Sequence, residues 1–117
     1  KLATGAAFVS GMVIPYAGSS APTGWLLLHG QNVSRTTYAD LFAAIGTTYG
    51  NGNGSTTFTL PGLRGRVGAG QDDMGGSSAN RLTSSANGTL NGDNLGASGG
   101  SETHTLTTSQ LPAHYIR

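Results

Sequence analysis

Three histidines, two closely spaced arginines and a pair of adjacent aspartates are the groups in this chain whose types and spacing could carry chemistry. His29, His104 and His114 could ligate a metal or act as general bases. Only His104 has a carboxylate close by, Glu102, and a lone Glu-Thr-His is an unspecific signal. No cofactor is therefore expected and no metal, with His104 and His114 the weak candidates. Asp72 and Asp73 offer paired carboxylates, but adjacent side chains of an extended backbone point to opposite faces. The pair cannot flank one glycosidic bond without a turn and is expected to be solvated loop charge. Asp93-Asn94 lacks the regular oxygen series of a calcium loop, and no Gly-x-Ser-x-Gly elbow anchors a hydrolytic triad. With five acidic residues and no convergent pair, the chain is expected not to be an enzyme. The Gly-rich segments do not lead from a strand into a helix N-terminus, as a phosphate-cradling loop must. Arg64 and Arg66, two apart, share one side of an extended segment and could grip carboxylates bidentately across a subunit interface. Tyr49 and Tyr115 are expected to be exposed aromatics able to stack on a ligand, whereas Tyr16 and Trp25 fall in blocks that belong to the core.

The frame that must hold these groups is small. Hydrophobic residues make up 36% of the 117 and charged residues 9%, against roughly 45–50% and about 25% in globular domains. Twenty glycines add to the entropy lost on ordering the chain, so burial shared between subunits of an intertwined oligomer is expected to stabilise it. The length fits one domain. A net charge of +1 with no run of Lys or Arg leaves no electrostatic footprint for nucleic acid or an anionic membrane surface. No apolar stretch approaches the ~20 residues that cross a bilayer. Zero cysteine fits a protein that must behave alike in a reducing cytoplasm and outside a cell. The start, Lys1-Leu-Ala-Thr, has neither Met nor a signal-type apolar run, so the chain is expected to be a soluble piece of something longer.

Apolar β-branched and aromatic residues over 8–16, closed by Pro15, predict a strand at about 11–14. A second, buried strand is expected over 25–29, with Trp25 as the largest core anchor. Tyr38, Leu41, Phe42 and Ile45 fall at i, i+3, i+4 and i+7, which predicts a helix over 37–46 laid on a sheet with those side chains in the core. Thr37 is placed to cap it, Asp40 suits its first turn and Gly46 supplies the stop. A turn-rich loop over 47–57 leads to a brief extended segment at 58–61. Residues 75–100 are almost wholly Gly, Ser, Asn, Ala and Thr, a low-complexity loop. Residues 102–106 are expected to be extended, and 107–112 form a capped helical turn halted by Pro112. The fold class is α+β: a small mixed domain of short β-strands, one short helix and long Gly-rich loops.

Several of these blocks, in order, resemble the phage tail collar family, found also in microcystin-dependent-like proteins and in short tail fibres of contractile-tailed phages. They are Gly11-Met-Val-Ile-Pro-Tyr-Ala-Gly18, Pro22-Thr-Gly-Trp25, the stretch from Gly30 to Gly46, Tyr49-Gly50, Phe58-Thr-Leu-Pro-Gly-Leu-Arg-Gly-Arg66 and Ser101-Glu-Thr-His-Thr-Leu106. The resemblance implies a virion protein, made in the host cytoplasm: a structural component of a tail fibre near its distal part. It further implies a homotrimer, contacts with other fibre or baseplate proteins, and attachment to a bacterial surface polysaccharide or outer-membrane receptor. A connector that never meets a receptor is the alternative, and a polysaccharide-degrading tailspike fragment a more remote one. On this reading residues 1–10 enter from a fibre shaft and 11–117 form the collar-like domain. Two positions depart from the family pattern. Gly62 stands where the family has Asp before Leu-Arg-Gly-Arg, and Ile116 stands at the second histidine of a Pro-x-His-x-His motif. In members that bind a metal on the fibre axis, alternate histidines from three chains converge, and Ile116 cannot serve there.

Overall fold

Register, more than strand length, organises the first part of the chain. The computed structural model describes residues 8–83 and 90–113, which fall into two compact units, Lys1–Gly70 and Gln71–Arg117. In the first unit, β1 (Asn32–Ser34) pairs antiparallel with β2 (Thr57–Thr59), Val33 opposite Phe58. The same register runs on in both directions. Arg35 N–H donates to Thr56 O (2.9 Å), Leu60 N–H to Gln31 O (2.9 Å) and Gly30 N–H to Pro61 O (3.2 Å), and His29 bridges Gly62. Pro61 has no N–H to return to Gly30, which interrupts a ladder spanning residues 28–35 and 56–63. The expected strand at 25–29 is therefore realised only at its C-terminal end.

Helix α1 (Ala39–Ile45) is shorter than the predicted 37–46 because its start is organised by Ser34, not Thr37. Ser34 Oγ accepts the N–H groups of Thr36 and Thr37 (3.2 and 3.1 Å), and Ser34 O accepts that of Tyr38 (3.1 Å), so the chain makes a turn before it becomes helical. At the other end Gly46 N–H closes on Phe42 O (2.8 Å), and Asp40 sits in the first turn as expected. The helix lies on the sheet through Phe42 and Phe58, whose ring centroids are 5.1 Å apart at 49°. This two-stranded sheet with one helix is the mixed α+β fold the periodicities call for.

The core is smaller and differently centred than the sequence suggests. Among the described residues only Phe58 and Leu60 are fully buried large apolar side chains. Leu41, Phe42 and Ile45 are half-buried, Tyr38 is exposed, and Trp25 is half-buried with its ring edge-on to Phe8 at 5.2 Å. Residues 11–14 form no strand. Gly11 takes a φ of +98°, and a Cβ there would lie 3.1 Å from that of Ala44, so the chain turns against α1 and leaves Met12, Val13 and Ile14 without a neighbouring strand.

The second unit is built from turns. Its one regular element among the described residues is a 3-10 turn at Thr108–Gln110, where Thr107 N–H donates to Gln110 Oε1 (2.8 Å) before Leu111 and Pro112 end it. The 102–106 stretch before it contains no strand.

Candidate functional site

The ladder of the first unit has a basic end and an apolar flank. At the basic end residues 63–66 make a turn, closed by Arg66 N–H on Leu63 O (3.1 Å), with Gly65 at a φ of +68°. Arg64 and Arg66 are thus the second and fourth residues of a turn, not alternate residues of an extended segment. The turn brings both arginines to one open pocket of about 540 Å³, lined also by His29, Gly30 and Gly62. No carboxylate lines it. On the flank, a larger open apolar cavity of about 1170 Å³ runs from Phe8 and Trp25 across to Leu41 and Leu63. Tyr49 is half-buried in the wall of this cavity, and Tyr16 is 55% exposed, so the two tyrosines exchange the places expected of them.

Between these features stands a residue that local patterns do not single out. Arg35 Nε donates to Thr57 O (2.7 Å) and its Nη2 to Asn51 O (3.2 Å) and Asn51 Oδ1 (2.8 Å), while the guanidinium lies 4.7 Å from the centre of the Phe42 ring. One side chain ties the 51–57 loop, β2 and α1 together. The loop is further set by Asn53 Oδ1, which accepts the N–H groups of Ser55, Thr56 and Thr57 (3.0, 2.8 and 3.1 Å).

The model of one protein family, the phage tail collar domain, matches residues 11–68. The chain carries a phage tail collar domain. Both strands, the helix, Arg35, Arg64 and Arg66 lie in the matched segment. Collar domains are structural domains of phage tails and not a family of enzymes, so the chain has a structural role in a phage tail fibre and is a tail component of the virion. No curated protein matches the chain. No helix among the described residues is long and apolar enough to cross a membrane.

Beyond the collar domain, Asp72 is not the solvated loop charge its sequence neighbourhood suggests. Its carboxylate accepts the N–H groups of Arg81 (3.0 Å) and Leu82 (3.2 Å) and the hydroxyl of Ser78 (3.2 Å). Its backbone N–H reaches Gly92 O (2.7 Å), and Gly92 N–H returns to Leu82 O (2.8 Å). Asp73 and Asp93 are joined through Gln71, whose Nε2 donates to Asp73 Oδ1 (2.8 Å) and Asp93 O (2.7 Å). Residues 78–82 of the low-complexity stretch are thus wound about one carboxylate. Partial burial pushes the Asp72 carboxyl up, but the N–H groups of Leu82 and Arg81, the Ser78 hydroxyl and the Arg81 charge together outweigh it and hold it below its ordinary value. A depressed folded value favours the charged form, so the stabilisation is complete above the ordinary carboxylate range and lost as pH falls below about 4. Amide exchange protection at Arg81 and Leu82 in the native chain is therefore expected to hold at about pH 5 and to be lost only below about pH 4, on the way to about pH 2. In Asp72→Asn it should be low throughout, and equal protection at both pH values in the native chain would contradict the assignment.

His104 is exposed, with Nε2 3.1 Å from Gln110 Oε1, and no group of three or more metal-ligating side chains is found among the described residues. His114 and Tyr115 lie outside the described residues.

Proposed function

We propose that this chain works near the distal part of a phage tail fibre as a homotrimer, beside other fibre or baseplate proteins, and takes part in attachment to a polysaccharide or outer-membrane receptor of the host. The observation that carries the self-association is the apolar flank of the collar domain. Phe8, Val9, Met12, Val13, Ile14, Tyr16, Leu27 and Tyr38 all line its cavity and are between 36% and 70% exposed. Eight large apolar side chains left open on one flank mark a surface that associates with another. The fitting occupant is another copy of the same chain, because a flank this poor in charge asks for a surface equally poor in charge, and only 9% of this chain is charged. Attachment then gains from multivalency: three weak sites on one rigid trimer raise effective concentration without any one tight contact.

Light scattering tests the assembly. The expected mass is three times 11.8 kDa, falling to that of the single chain in Val13→Asp, which places a carboxylate in the flank without touching Phe58 or Leu60. A well-folded native monomer would refute the shared core. With the trimer intact, replacing the polar side chains of residues 77–83 is expected to abolish adsorption of the phage, and unchanged adsorption favours the connector.

A further inference from the structure

We infer that the pocket between His29 and the 63–66 turn is an anion site, which takes a compact oxyanion, a phosphate or carboxylate, carried by a surface glycan. The choice of glycan as carrier rests on the attachment reading above; the anion site itself does not. Three observations lead to it. The first is convergence: Arg64, Arg66 and His29 approach from two different chain segments, held by the His29–Gly62 bridge and by the bonds from Leu63 N–H to Leu28 O (3.0 Å) and Gly30 N–H to Pro61 O (3.2 Å). The second is the floor. Gly30 and Gly62 face each other with no side chain between, so nothing of the protein's own fills the pocket.

The third is unspent charge. Arg35 spends its guanidinium on Thr57, Asn51 and Phe42. The guanidinium groups of Arg64 and Arg66, in contrast, have no acceptor among the described residues, and no acidic residue lines their pocket. Two cations held on one four-residue turn repel each other, and an oxyanion between them removes that repulsion while accepting forked, charge-assisted hydrogen bonds.

The test uses the full chain in its assembled form. Inorganic phosphate is titrated while the Nε–Hε resonances of Arg64 and Arg66 are followed, and saturable shifts at both are expected. Arg64→Gln and Arg66→Gln should each weaken binding roughly tenfold, the worth of one charge-assisted hydrogen bond. Gly62→Asp should abolish it by placing a carboxylate against the arginines. Gly62 lies outside the left-handed region, and its new Cβ would meet Gly30 Cα at an ordinary 3.6 Å, so the fold tolerates the change. Absence of saturable shifts overturns the site. Disassembly of the oligomer by Arg64→Gln overturns it as well, because the arginines would then be holding a neighbouring copy. The carrier is tested apart, with phosphorylated and dephosphorylated host lipopolysaccharide: preference for the phosphorylated form supports the glycan, and phosphate binding without that preference retains the anion site and removes the glycan as its carrier.

Discussion

Phe58→Ala is expected to destabilise the collar domain by about 3–5 kcal/mol, the usual cost of emptying a buried phenylalanine site. Phe58 is wholly buried at the centre of β2 and packs on Phe42 across the helix-to-sheet contact. With Leu60 the only other fully buried large apolar side chain described, no second cluster is at hand to collapse into the space. A small domain has total stability near the lower end of roughly 5–15 kcal/mol, so the variant should be largely unfolded at 37 °C. Urea unfolding at fixed protein concentration measures it, since mass action shifts the midpoint of any oligomer. A loss under about 1 kcal/mol would mean that the domain's stability resides instead in the apolar flank shared between copies.

The second large effect is expected at Arg35. Arg35→Lys keeps the charge but replaces a planar fork by a single ammonium, which cannot reach Thr57 O, Asn51 O and Asn51 Oδ1 together or stack on Phe42. Leaving a partly buried carbonyl without its donor costs about 1–3 kcal/mol, and the loss should appear as a lower urea midpoint with faster amide exchange in the 51–57 loop. Arg35→Met, which retains the apolar stem but no donor, should lose at least as much. If Lys is as good as Arg, the clamp is an electrostatic contact only, and the fork geometry has no part in it.

Both sites show how far one-dimensional patterns reach. The helix was legible because Leu41, Phe42 and Ile45 repeat at the helical period within a single turn or two, and Gly46 marks its end. Its start was misplaced by two residues because Ser34, a strand residue, competes with Thr37 for the first free N–H groups. The apolar, β-branched run at 11–14 was legible, yet a strand also needs a partner, and among the described residues the segment turns at Gly11 and pairs with none.

What the sequence by itself determined is the family, through ordered blocks over residues 11–68, together with the α+β class and the extended and helical segments that local periodicity encodes. Tertiary structure alone decided which polar groups matter. Arg35 meets Asn51 and Thr57 sixteen and twenty-two residues away, Asp72 collects donors from Ser78, Arg81 and Leu82, and a turn at Gly65 swings two arginines into one pocket with His29. Hydrogen bonds and charge pairs depend on distance in space, and chain closure over such separations costs only a slowly growing entropy that leaves no periodic mark on the residues between.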